Sequence, residues 1–406
     1  MRVLLVNTLY PPDSEGGAER SVAQLAHGLA GAGVDVTVLA LKADGALGRE
    51  HRDGVTVWRA PMRNLYWPYD GGRRSALLRM GWHTVEAFGR TMDGVVARVI
   101  QQVRPDLIHA QVTTGFGTSV TRAGKRADLP LVQTVRDYSL MCARAAMFRK
   151  GRRCAQRCGD CVLLTADRKR ASEQAQAWVA VSSSLAEAHL AETYFEGVPG
   201  RVIGNAAATV QASVRPGFDL ALELVFGFIG RIEPEKGVEV LLQAAMRLGD
   251  GWRLKIAGRG DAAYVAALQR RSDDPRIDWL GQVEAEVFYR SVDVVAAPAL
   301  WAEPFGRAAA EAVAQGRGLI ASRIGGLPEA AGDAPFVMLV EAGDVAGLAE
   351  AMQRALDARE DWRFGAMINS RTATRWTEAA VVEAHLALYR EVLTRASSTA
   401  ADASQL

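Results

Sequence analysis

Two glutamates eight residues apart, Glu303 and Glu311 in the stretch EPFGRAAAE, bracket a Pro-Phe-Gly turn. Proline is tolerated in a helix's first turn, where the N–H it lacks has no intrahelical partner, so the turn predicts a helix starting at Pro304 or Phe305. Glu303 then stands just ahead of the helix, where a carboxylate can hydrogen-bond a polar ligand. The N–H groups of Phe305 and Gly306 become helix-start donors open to a phosphate. Glu311 falls two turns on, about 10 Å away at ~1.5 Å per residue. That offset suits a ligand with a polar group on each side of a diphosphate, as a nucleotide sugar has. Against this stands a plainer reading: acidic residues suit a helix N-terminus, and most helix glutamates face water.

A second charged group lies in GRIEPEKG, residues 230–237. Arg231 and Lys236 sit between a strand end and a helix start, and Gly230 and Gly237 let the backbone approach a ligand closely. Cations beside a helix N-terminus can hold a diphosphate; two solvated basic residues on a surface loop are the alternative.

The elements that must position these residues alternate between strand and helix. Residues 3–6 (VLLV) form a short buried-type apolar run, and residues 18–33 place Val22, Leu25, Ala26 and Leu29 on one helical face closed by Gly31 and Gly33. Strands follow at 35–41, 106–110, 131–135 and 178–182. Residues 204–218 are small, polar and Pro/Gly-containing, as a linker is. Alternation then restarts, with strands at 224–230, 253–258, 292–299 and 318–322 and a helix at 238–248. The pattern predicts an α/β chain of parallel sheets with helices on both faces, arranged as two Rossmann-like domains facing a central cleft. The expected divisions are a first domain over 1–204 with a Cys-rich insertion near 142–161, a linker at 205–218 and a second domain over 219–376. A helix at 377–394 would pack back on the first domain, and 395–406 reads as a disordered tail. Open parallel sheets bind ligands at the carboxyl ends of their strands. The glycine-rich loops SEGGAE, GRIEPEKG, EPFG and RIGGLPE all follow strands.

A chain of 406 residues exceeds what one core usually supports. Its apolar and charged fractions, 49% and 23%, are those of an ordinary globular protein, and a net charge of +2 argues against bulk nucleic-acid binding. The first twelve residues read as a strand and loop rather than a signal peptide, and no apolar run approaches the ~20 residues needed to span a bilayer. A cytoplasmic protein is expected.

Taken together, EGGAER, PDLIHA, GRIEPEKG and EPFGRAAAEAVAQGRGLIASRIGGLPE resemble, in order, the motifs of family-4 retaining glycosyltransferases with the GT-B fold, whose signature is E-x7-E. The resemblance runs from Met1 to about Arg390. It implies that Arg231 and Lys236 grip the donor diphosphate, that Glu303 contacts the transferred sugar, and that Glu311 holds the ribose hydroxyls. Gly16 and Gly17 would form the loop closing over the donor, and the base would lie against the turn ending at Val283. The implied reaction is front-face transfer with retention, from a UDP- or GDP-linked sugar to a glycan or lipid-linked acceptor. No D-x-D triplet occurs, in keeping with a fold whose members generally need no metal for catalysis.

The chain departs from the family in places. Where many relatives carry a histidine, TVRDYSLMC has Arg136 followed by Asp137. These are acceptor-side candidates, although Arg136 can equally serve only to pair with a carboxylate, and it cannot share a proton. His109 occupies a family histidine position, but Gln111 replaces its companion, which favours packing over chemistry. Cys142, Cys154, Cys158 and Cys161 are all the cysteines of the chain; in a reducing compartment such a cluster suggests a structural zinc, with small core residues as the alternative. A basic run surrounds them, from Arg144 to Arg170. Arg73, Arg74 and Arg79, with Trp67 and Trp82 nearby, form a second. Such stretches are usually solvated, but they also suit peripheral contact with the inner face of an anionic membrane. A sugar-nucleotide epimerase on the same fold and a catalytically silent donor-binding relative are the alternatives. A nicotinamide dehydrogenase lacks its G-x-G-x-x-G turn here.

Overall fold

A computed structural model describes residues 1–13, 16–72, 74–149, 151–207 and 223–403, with side chains described to residue 398. Most of the expected linker, together with Arg73 and Lys150, lies outside them. The chain divides into two compact units: Met1–Met147 with Ala155–Ala206 and Glu378–Leu406, and Phe148–Cys154 with Ala207–Thr377.

In the first unit β1 (Arg2–Val6), β2 (Asp35–Lys42), β3 (Gly48–Arg52), β4 (Val55–Pro61), β5 (Leu107–Ala110), β6 (Leu131–Val135), β7 (Ala177–Ala180) and β8 (Gly200–Val202) form one sheet in the order β8-β7-β6-β5-β1-β2-β4-β3. All pairs are parallel except the β3–β4 hairpin. Helix α1 (Gly17–Gly31) buries the expected stripe of Val22, Leu25, Ala26 and Leu29. It packs on the C-terminal helix so closely that a Cβ on Gly28 would lie 2.4 Å from Val382. That helix runs over Glu378–Ala403, beyond the end at 394 read from the sequence. Its continuation past Arg395 is alanine-rich, and alanine has the best intrinsic helix propensity. Helix α2 (Ala76–Phe88) buries only Trp82, Glu86 and Ala87.

In the second unit β9 (Leu224–Ile229), β10 (Trp252–Ala257), β11 (Ile277–Gly281), β12 (Val294–Ala297), β13 (Gly318–Ser322) and β14 (Val337–Val340) form a parallel sheet in the order β11-β10-β9-β12-β13-β14. That is the doubly wound order, in which the chain reverses its progress across the sheet between β9 and β12. Helix α3 (Val238–Ala245) follows the loop after β9, and α4 (Arg307–Ala314) follows the loop after β12. Below the site a buried pair, Arg363 Nε to Asp293 Oδ1 at 3.6 Å with both side chains 1% exposed, fixes the base of β12. Asp293 also accepts the Val225 N–H at 2.9 Å.

Candidate active site

The loops leaving β9 and β12 meet at the switch point of the second sheet, where ligands of such folds bind. Leu300 N–H donates to Glu235 C=O at 2.8 Å, joining the two loops. Gly237 has φ 73°, and a Cβ there would lie 1.9 Å from the Pro298 carbonyl oxygen, so only glycine permits this approach. The loop after β13 supports the same place. Gly326 N–H donates to Glu303 C=O at 2.7 Å, and a Cβ on Gly325 would strike the Glu303 amide nitrogen at 2.4 Å.

This scaffold brings Lys236 and Glu303 together. Lys236 Nζ lies 2.9 and 2.8 Å from the two carboxylate oxygens of Glu303. Trp301 Nε1 donates to Glu303 Oε2 at 2.8 Å, and its ring lies 5.0 Å from the ammonium. The two charged side chains are only 17% and 18% exposed. The ammonium thus sits among a carboxylate, an indole face and little water, and an incoming anion would compete with Glu303 for it.

Helix α4 begins at Arg307, later than the sequence predicts. Gly306 takes φ 96°, a left-handed conformation that precedes the helix, and a Cβ there would meet Leu327 at 2.7 Å. Phe305 is buried with its ring edge-on to Trp376 at 5.2 Å. Glu311 lies on α4 with both oxygens engaged: Arg307 Nε donates to one at 2.7 Å and Tyr289 OH to the other at 2.8 Å. Arg231 does not reach this group. It is exposed and donates to Glu233 at 2.9 Å. Burial holds the Glu233 carboxyl above its usual range despite Arg231, and Glu235 pushes it the same way. Gly230 closes β9 with φ 155°, and Val283 follows β11 half-buried.

In the first unit, Gly16 caps α1 in extended conformation and Gly17 opens it. Arg136 is buried; its Nε donates to Gln111 Oε1 at 2.7 Å and its terminal nitrogen to Asn205. His109 is fully buried between Tyr389 OH at 2.5 Å and Thr134 at 2.6 Å. It is a packed strand-end histidine, and burial, with His385 and Arg136 nearby, lowers its pKa well below the usual value. Asp137 accepts the Ser139 N–H at 2.8 Å, and burial holds its carboxyl above the ordinary range.

Of the four cysteines, Cys142 and Cys158 both act on the Cys161 thiol. Among the described residues no three His, Cys, Asp or Glu side chains group to hold a metal ion. Cys142 and Cys161 are buried, and burial first, then Cys142 and Cys158, pushes the Cys161 thiol up to about 12, protonated at neutral pH. Cys158 is exposed at the start of a short helix, and Cys154 belongs with the second unit. Trp82, read as part of a surface stretch, is buried under Tyr66 instead. Sequence reasoning missed Trp301, Tyr289 and Arg307. Arg307 carried a signal, standing four residues before Glu311, whereas Tyr289 reaches Glu311 only through the fold.

Two Rossmann-like units, the second with polar residues gathered at its switch point, define a two-unit α/β class built on largely parallel sheets. Comparison with known proteins makes the class specific. Residues 16–206 match the model "Glycosyl transferase 4-like domain" and residues 223–358 the model "Glycosyl transferases group 1". Sucrose-phosphate synthase from Thermosynechococcus elongatus superposes over 97% of this chain and 99% of its own, with a TM-score of 0.76 at 21% identity. The Anabaena protein HepE, solved with UDP and glucose, covers 96% and 99% with a TM-score of 0.69 at 18% identity. An uncharacterized 42.6 kDa protein in the cps region of Klebsiella pneumoniae is 27% identical over 341 residues, 84% of this chain and 90% of that one. The chain belongs to the glycosyltransferases of the GT-B fold.

Proposed function

We propose that this protein is a retaining glycosyltransferase that moves a hexosyl group from a nucleoside-diphosphate sugar to an acceptor hydroxyl in glycan or glycolipid synthesis. The observation that carries the reading is the Lys236–Glu303 pair at the switch point, backed by Trp301 and followed by α4 with Glu311 anchored on it. A diphosphate entering between the loops takes Lys236 from Glu303, freeing that carboxylate for sugar hydroxyls. Arg231 gives up Glu233 to reach the same diphosphate. Glu311, presented by Tyr289 and Arg307, accepts from the ribose, and the base rests by Val283. The acceptor oxygen bonds to the anomeric carbon on the face from which the diphosphate departs. The bond from anomeric carbon to phosphate oxygen breaks, and the departing phosphate takes the acceptor's proton. Lys236, Arg231 and the start of α4 stabilise the charge that develops on it. No cofactor or metal is needed for this step.

The neighbour solved with UDP and glucose favours UDP among donors. A thermal-shift screen with UDP, GDP, dTDP and ADP, each with and without EDTA, tests the reading. We expect a rise with one diphosphate that EDTA leaves unchanged; no response to any of the four would overturn it.

The same reading places the protein at an anionic membrane surface. Helix α2 carries Leu77 and Met80 at 76% and 59% exposure. Leu65 lies beside it, close enough that a Cβ on Gly81 would be 2.9 Å away. The helix Gly159–Leu164, which packs on α2, adds exposed Val162 and Leu163, and exposed Arg63 and Arg79 flank the patch. An apolar patch rimmed by arginine suits an interface of headgroups and acyl chains. Co-sedimentation with phosphatidylglycerol vesicles at low salt, lost in Leu77→Asp/Met80→Asp, is the expected outcome; wild-type protein left in the supernatant would refute it.

A further inference from the structure

The second unit holds a cavity of about 470 Å³ that neither Lys236 nor Glu303 lines, bounded by Phe148, Arg152, Arg153, Leu300, Arg323 and Glu341 among others. Its charge is lopsided, with three guanidinium groups to one carboxylate. The one ion pair within it is long, Arg323 Nε to Glu341 Oε1 at 3.6 Å, with both side chains more than half exposed. Arg152 and Arg153 are exposed and have no ion-pair partner among the described residues. They come from a hairpin, Phe148–Arg149 against Arg152–Arg153, that sets Arg149 directly opposite Arg152. Like charges facing across a strand pair are destabilising, so the hairpin concentrates cations at a cost that its own packing does not offset. Arginine matches phosphate oxygens in two-pronged hydrogen bonds, and 470 Å³ lies within the range of small-molecule sites.

The position along the sheet says which ligand it is. From edge to edge the strands run β11-β10-β9-β12-β13-β14. The base turn lies after β11, Lys236 after β9 and Glu303 after β12. The cavity lies beyond these, on the loops after β12, β13 and β14 that carry Leu300, Arg323 and Glu341. By strand order it therefore lies toward the sugar end of a bound donor rather than its base end. We infer that this cavity is an anion subsite for the acceptor, and that the acceptor carries a phosphate or diphosphate held by Arg152, Arg153 and Arg323. The inference rests on the transferase reading above, since that reading fixes which end of the site is the sugar end.

The test is calorimetric titration of inorganic pyrophosphate into full-length protein saturated with UDP. Wild type should bind one further equivalent. Arg152→Ala/Arg153→Ala and Arg323→Ala should each weaken that binding at least tenfold, with UDP affinity unchanged. Arg149→Ala removes the same charge from the same hairpin at a residue that does not line the cavity, and it should bind pyrophosphate as wild type does. Two further titrations separate the sources of the anion: tighter binding of a short-chain alkyl diphosphate than of a hexose 6-phosphate marks a lipid-linked acceptor, and the reverse marks a sugar phosphate. No second binding event in wild type, or equal weakening in Arg149→Ala, overturns the subsite. Failure of UDP to bind, with pyrophosphate binding that still depends on Arg152 and Arg153, sinks the transferase reading and leaves an anion site standing.

Discussion

Lys236 and Glu311 sit in the same site but should fail differently when removed. On the proposed reading Lys236 is the cation nearest the place where negative charge develops, so Lys236→Ala should slow transfer by about 2–4 kcal/mol of barrier, with a smaller effect on UDP affinity. Turnover kinetics and UDP titration on one preparation separate the two quantities, and unchanged turnover would mean the diphosphate lies elsewhere. On the same reading Glu311 acts on the donor's far end. Glu311→Ala should weaken UDP binding, and, because Tyr289 and Arg307 then lose their acceptor, lower stability slightly as well. Asp293 belongs to the packed base of the unit. Removing it leaves Arg363 charged in an interior where both side chains are 1% exposed, and Asp293→Ala should cost about 3–5 kcal/mol in urea unfolding.

At the scale of elements, the site depends on loops that meet because certain positions lack side chains. Gly237 brings the loop after β9 against the Pro298 carbonyl, and Gly325 runs under Glu303. Gly237→Ala combines a left-handed φ of 73° with a Cβ 1.9 Å from a backbone oxygen, so the two loops must part. We expect a loss of about 1–3 kcal/mol and, more tellingly, loss of the UDP-induced thermal shift. A variant that keeps the full shift would show that joining these loops is not what places Lys236.

Over the whole molecule, the six histidines fall at residues 27, 51, 83, 109, 189 and 385, all within the first unit. His189 and His385 are buried, each donating from Nδ1 to a carbonyl at 2.8 Å while Nε2 has no partner. Burial lowers both to about 4. An unfolded histidine titrates near 6.5, so between these values the unfolded chain binds more protons than the folded one. Stability is therefore full above about pH 6.5, falls as pH drops toward 4, and is level in this respect below that. Each residue contributes up to about 3 kcal/mol. Glu86 and Asp137, whose carboxyls burial holds above the usual range, pull the other way. Urea midpoints of wild type and His385→Gln between pH 7.5 and 4.5 isolate the imidazole: the variant should show a shallower decline, and parallel curves would contradict the assignment.

What the sequence alone determined was local. Period-two and period-3.6 apolar patterns placed most central strands and the buried stripe of α1, because burial acts on each element separately. Two of the four motifs, GRIEPEKG and the EPFG stretch, named loops that the second sheet brings together. The β3–β4 hairpin and the edge strands were not legible, since short half-exposed strands carry a weak apolar signal. The helix start read at Pro304 or Phe305 falls at Arg307 instead, because Gly306 takes a left-handed φ against Leu327. The thiol spacing suggested one metal site, but spacing cannot tell that burial covers Cys142 and Cys161 and leaves Cys158 exposed. Only the tertiary structure could decide that Lys236 pairs with Glu303, that Tyr289 holds Glu311, and that Arg323 shares a cavity with Arg152 and Arg153. Those partners stand 67, 22 and about 170 residues apart. Side-chain contacts across such separations follow from the order in which strands assemble into a sheet, which no local pattern in the chain encodes.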